Sequence, residues 1–120
     1  MQTDSTMYVY VAAPMSGNPS EYLANVARMN AYSRHLIDTG HCPINPASDM
    51  AEGLASTTPM SDSAYKIRSM NLLRLLFGRE DAVMHVLATE HRDGRKSTGV
   101  AAEMQEAGSF GLPIEYVTGW

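Results

Sequence analysis

The chain has 120 residues, with hydrophobic side chains at 44% and charged ones at 18%. That balance buries a core and lies outside the high-charge, low-apolar composition of disordered chains, and the length leaves room for a single domain over residues 1–120. Nine Lys and Arg against thirteen Asp and Glu give a formal charge of -4, which excludes the general cationic surface that a nucleic-acid polymer needs.

Cys42 is the only cysteine, so no intramolecular disulfide and no paired-thiolate metal site is expected, and a reducing, cytoplasmic setting is. The opening MQTDST lacks a basic region, and no apolar run approaches the roughly 18 residues that span a bilayer, so neither secretion nor membrane insertion is expected. The nine methionines read as flexible core filler.

Residues 7–12, MYVYVA, are β-branched and aromatic and run into the turn-forming APMSGNP, which reads as a buried strand entering a loop. From Ser20 the period becomes helical through Leu23, Val26, Leu36 and Ile37, with Asn18 or Ser20 as cap and Gly40 as the stop. Residues 41–46, HCPINP, suit a brief second strand. The aperiodic, polar residues 47–59 read as a connection and a candidate lid.

Helical spacing returns over residues 61–77 and stops at Gly78, with an apolar face wide enough for burial against a second copy of the chain or within a monomer core. Residues 81–87 read as the next strand, 88–96 as an exposed polar loop, and Ser97 opens a helix with Val100, Met104 and Ala107 on one stripe. Residues 113–117 form the last strand. Strands alternating with helices predict an α/β, Rossmann-like (flavodoxin-like) three-layer domain with a small parallel sheet of four to five strands.

Such sheets bind ligands beyond the carboxyl ends of their strands, where the loops at 13–19, 45–59 and 88–99 converge. Met15-Ser16-Gly17 and Ser97-Thr98-Gly99 each offer small side chains and unhindered N–H groups near a helix start. Either sequence serves as a helix cap or as a cradle for an anion such as phosphate. Glu103 lies one turn into the last helix, about 60° from its apolar stripe at 100° per residue, so it is able to lean toward the crevice. Glu106 sits farther round and reads as surface charge. His35, His41, His85 and His91 show no paired ligand spacing, and neither GxGxxG, GxxxxGK[ST] nor GxSxG occurs. No metal and no cofactor are predicted.

Together, Tyr8-Val9-Tyr10-Val11-Ala12-Ala13-Pro14-Met15-Ser16-Gly17, Ile44-Asn45-Pro46-Ala47, Asp81-Ala82-Val83 and Ser97-x-Gly99-x-x-x-Glu103-x-x-x-Ala107 resemble the nucleoside 2-deoxyribosyltransferase superfamily. Within it they are most similar to small phage and bacterial domains and to nucleoside 5′-monophosphate N-glycosidases. The resemblance implies that Glu103 is the catalytic glutamate acting on the sugar C1′, that Tyr10 orients it, and that Asp81 positions the sugar and base or manages the departing base's proton. It further implies a substrate or phosphate pocket drawn from Ala13, Met15, Ser16, Gly17, Asn45, Ser97 and Gly99, and a homodimer or larger homo-oligomer. Transferases of the family usually carry an aspartate at the position of Ser97; a serine donates to phosphate where a carboxylate repels it, which favours a 5′-monophosphate substrate.

Two departures stand out. The hydrolases have an arginine where this chain has Ser16, and many small phage-type domains have a tryptophan before Ser-x-Gly, replaced here by residues 89–96. Arg92, Arg95 or Lys96 of that loop is available as the missing positive charge or is plain surface charge. The expected function is hydrolysis or base transfer at the N-glycosidic bond of a (deoxy)nucleoside 5′-monophosphate; the alternative is a non-catalytic nucleotide-binding or sequestering protein, such as a phage might use.

Overall fold

The computed structural model describes residues 6–15, 18–48, 52, 55–58 and 61–120. Strand β1 (Tyr8–Ala12) leads through a loop into helix α1 (Pro19–Asp38), then strand β2 (Cys42–Ile44) and a single 3₁₀ turn at Pro46–Ser48. Helix α2 (Asp62–Arg74), strand β3 (Ala82–Val86), helix α3 (Thr98–Ser109) and strand β4 (Ile114–Tyr116) complete the order. All four strands are parallel, in the order β2-β1-β3-β4. This is the predicted α/β, Rossmann-like three-layer architecture.

Every residue of β1 after Tyr8 is buried, because its two faces meet different helices. Tyr10 and Ala12 join Met84, Val86, Leu73, Val100 and Ala107 in the core beneath α2 and α3. Val9, Val11 and Ala13 join Val83, Val26, Met29, Tyr32 and Leu36 in the core beneath α1. A strand covered on both sides has no solvent face to select polar residues, which is why YVYVA lacks polar alternation. After β1 the chain moves outward to β2, and after α2 it crosses back to β3 on the other side of β1. The connections leaving β1 and β3 therefore diverge at the carboxyl edge, the point where sheets of this kind bind ligands.

Asn18 caps α1: its side chain accepts from the Glu21 N–H at 2.9 Å while the Glu21 carboxylate accepts from the Asn18 N–H at 3.3 Å. The predicted helix over residues 61–77 is shorter in the structure, ending at Arg74. Beyond it the N–H groups of Leu75, Leu76 and Phe77 each reach back three residues, and Gly78 at φ 76° turns the chain away. Only part of the broad apolar face on this segment is covered. Leu73 and Leu76 are buried, but Ile67, Leu75 and Phe77 are 61%, 69% and 71% exposed. No helix among the described residues is long and apolar enough to cross a membrane.

Candidate active site

Tyr10 sits mid-strand in β1, pointing to the α2/α3 side, where its ring is fully buried. Helix α3 starts at the carboxyl edge and returns over this face, so Glu103, in its second turn, lies above the middle of the sheet. The Tyr10 hydroxyl donates to Glu103 Oε2 and lies 3.4 Å from the Ser69 carbonyl oxygen of α2. Strand β1, α2 and α3 thus meet at one carboxyl group.

Burial is the main influence on this carboxyl and pushes its pKa up from 4.5 to about 7; the Tyr10 hydrogen bond acts in the opposite direction. Folded proteins place carboxyl groups in desolvated surroundings without a cation at a cost in stability, and such groups concentrate where a proton or a developing positive charge is handled. The phenol adapts to either state of its partner. It donates to an ionised Glu103, and when Glu103 is protonated the acid is able to donate to the phenol oxygen while the phenol donates to the Ser69 carbonyl.

Ser97 is the N-cap of α3, and its buried hydroxyl accepts from the Val100 N–H at 3.2 Å. The Ala101 N–H bonds to the Ser97 carbonyl, and the N–H groups of Thr98 and Gly99 at the carboxyl edge have no partner among the described residues. The capping role is therefore real, and it leaves two backbone donors and the positive end of the helix for an anion. A Cβ at Gly99 would approach only Ser97 Oγ, at 3.9 Å, so the position is open. Four residues at 1.5 Å each separate Gly99 from Glu103 by about 6 Å along the axis, comparable to a pentose with its 5′-methylene.

The other expected residues are distributed differently. Ala13 is buried and Met15 packs against the same core beneath α1. Asn45 ends β2, where its amide donates to Asn30 Oδ1 at 2.9 Å and its carbonyl oxygen accepts from the Ala47 N–H at 3.0 Å. That side chain holds the turn after β2. Ser16 and Gly17 lie outside the described residues, as do residues 49–51, 53–54 and 59 of the candidate lid.

Asp81 corrects the expectation of a shared catalytic group. It precedes β3, and its carbonyl accepts from the Tyr8 N–H at the beginning of β1, which places it at the amino edge of the sheet, opposite the crevice. Its carboxylate is engaged by Arg79 at 2.9 and 3.0 Å, is 43% exposed, and is held below its ordinary pKa first by that hydrogen bond. Glu106, read as surface charge, instead ties α3 to α2 through Arg74 at 3.0 Å.

The polar segment after β3 folds as a small hairpin: the His91 N–H bonds to the Arg95 carbonyl, and Glu90 pairs with Lys96. Arg95 is taken by Asp93 at 2.7 Å. Among the described residues no group of three or more His, Cys, Asp or Glu is arranged to hold a metal ion. Sequence reasoning missed the Ser69 carbonyl, a backbone atom that no side-chain pattern reveals. No family model and no curated protein matches the chain.

Proposed function

We propose that this protein cleaves the N-glycosidic bond of a (deoxy)nucleoside 5′-monophosphate, with Glu103 as the catalytic carboxylate and Tyr10 orienting it. The observation that carries the reading is the half-buried Glu103 carboxyl, bonded to Tyr10 and one turn from the open amino end of α3. The motifs resembling nucleoside 2-deoxyribosyltransferases point to the same reaction class.

In the proposed reaction the ionised Glu103 faces C1′. The C1′–N bond breaks with its electron pair leaving on the base, which takes up a proton from water, while positive charge grows at C1′ and the ring oxygen. The carboxylate stabilises that charge or closes on C1′ as an ester. Water then adds at C1′, releasing its proton and freeing Glu103, and the products are free base and the sugar 5-phosphate. A second base in place of water gives transfer. The phosphate end fits the free N–H groups of Thr98 and Gly99.

Incubation with a panel of deoxynucleoside and ribonucleoside 5′-monophosphates, followed by chromatographic separation of free base, tests the reading. Base appears under this account; stoichiometric binding in calorimetry with no base released assigns the chain to nucleotide binding instead. Asp81→Asn leaves the rate of base release unchanged, because the carboxylate stands at the other edge of the sheet; a large loss would restore Asp81 to the site.

A homodimer forms part of the proposal. Ile67, Leu75 and Phe77 are large apolar groups left open on α2 and its following turn, and the groove between Ala64, Ile67, Leu72 and Leu75 suits an apposed helix. Fully burying an isoleucine contributes roughly 1.5–3 kcal/mol. Ile67→Asp is accordingly expected to weaken self-association by about 10- to 100-fold in sedimentation equilibrium; an unchanged oligomeric state would move the interface elsewhere.

A further inference from the structure

The face of the sheet beneath α1 carries a polar cluster that the proposed reaction does not use. His85 stands two residues after Val83 on this face of β3, with its side chain 16% exposed. Its Nδ1 lies 2.6 Å from the Tyr32 hydroxyl of α1, and its Nε2 lies 3.6 Å from Oε1 of Glu115, its register partner on β4. Tyr32 is buried, and its hydroxyl has no second partner among the described residues. The same phenol supports the chain after β4. The Val117 N–H bonds to the Val86 carbonyl at 2.9 Å, Gly119 at φ 91° turns the backbone, and the Trp120 ring meets Tyr32 edge-on at 5.2 Å and His35 at 5.2 Å between centroids.

The short bond fixes the protons. Burial, and then the charge of Glu115, raise the Tyr32 pKa, so the phenol keeps its proton and donates to Nδ1, which leaves the Nε2–H of a neutral His85 toward Glu115. A second proton on His85 turns Nδ1 into a donor facing a donor. The phenol then has to rotate, and its O–H is left buried without an acceptor, which is unfavourable. The neighbouring groups act in both directions. Glu115 favours the imidazolium but is 66% exposed, so its attraction is screened. Across β1, His41 opposes it while accepting from the Met7 N–H at 3.2 Å; β1 itself presents only the apolar Val9, Val11 and Ala13 on this face, and α1 adds His35, 5.9 Å from the Tyr32 ring. Burial outweighs the rest and holds the His85 pKa below its ordinary 6.5.

We propose that His85 is a proton-operated clasp: neutral, it holds Tyr32 and through it the Trp120 ring on α1; protonated, it releases both, and Trp120 swings away about Gly119. Release uncovers the Tyr32 and His35 surface of α1 on which the indole rests. Because the unfolded chain takes up this proton near 6.5 and the folded chain only at lower pH, the cluster's contribution to stability is complete above 6.5 and is lost as pH falls through the folded value. The clasp lies on the face of the sheet opposite Glu103, so it stands whether or not the chain cleaves nucleotides.

Trp120 is the only tryptophan, so its fluorescence reads the clasp in the whole chain. Acrylamide quenching of the wild type, followed from about pH 7.5 down to about pH 5, is expected to rise by up to about twofold, the ratio of full exposure to the 41% exposure of Trp120 in the closed clasp, with a midpoint below 6.5. His85→Gln, whose amide oxygen still accepts from Tyr32 but which takes up no proton, abolishes the pH dependence. Tyr32→Phe, which keeps the ring and loses the bond, abolishes it as well. His35→Gln separates the clasp from direct quenching of the indole by a protonated imidazole: the rise persists in that variant. Far-UV circular dichroism restricts the comparison to pH values at which each chain is folded. Wild-type quenching that does not change with pH overturns the proposal, and so does a rise that survives in His85→Gln or Tyr32→Phe, or one that disappears in His35→Gln.

Discussion

Replacing Glu103 with glutamine is expected to lower base release from a nucleoside 5′-monophosphate by about 10³-fold or more while preserving the fold. The amide has nearly the same volume, keeps a hydrogen bond to Tyr10 and lacks the negative charge that the developing cation at C1′ requires. The loss therefore falls on kcat, with binding of the nucleotide little affected, because in the proposed reaction the phosphate and base are held by other groups. The pH profile supplies a second signature. Since the free carboxyl has a pKa of about 7 and the ionised form is the reactive one, kcat/KM should rise as pH increases through about 7 and level off above it. A profile that falls over the same range would make Glu103 the proton donor.

The same carboxyl is expected to make the wild type less stable as pH rises, by about 3 kcal/mol between pH 4 and 8. The sign follows from proton binding. In the unfolded chain the carboxyl titrates near 4.5, and in the folded chain near 7. Between those values the folded state holds a proton that the unfolded state has released, so stability falls with increasing pH until the folded carboxyl has itself ionised. Glu103→Gln removes this slope, and chemical denaturation at pH 8 should find the variant more stable than wild type by up to about 3 kcal/mol. Parallel stability curves for the two proteins would mean that the carboxyl is better solvated than its position beneath α2 and α3 implies. A side chain that costs stability and supports turnover is a recurrent property of active sites.

The layers of the fold were readable because each rests on local patterns: YVYVA and DAVMHV as doubly covered strands, Asn18 and Ser97 as caps, Gly78 as a stop. The tilt of Glu103 toward the sheet was also readable, since it needs only the angle from Val100, Met104 and Ala107. Asp81 was misplaced for a physical reason. An apolar run identifies a strand, but the residues at its two ends stand at opposite edges of the sheet, and in a parallel sheet only the carboxyl edge carries the crevice. Arg28 escaped notice because a charge on an amphipathic helix ordinarily faces solvent, whereas here its Nε is buried. Glu106 had the same character, its partner Arg74 being set by the packing of α2 against α3.

All of these readings converge on the space in front of residue 103. The most direct measurement is a crystal structure of the inactive Glu103→Gln protein with a deoxynucleoside 5′-monophosphate bound. The account predicts the anomeric carbon about 3–3.5 Å from the side chain of residue 103, with the phosphate at the carboxyl edge of the sheet. A nucleotide seated away from Tyr10 and residue 103, or one whose base rather than sugar occupies that space, would contradict it.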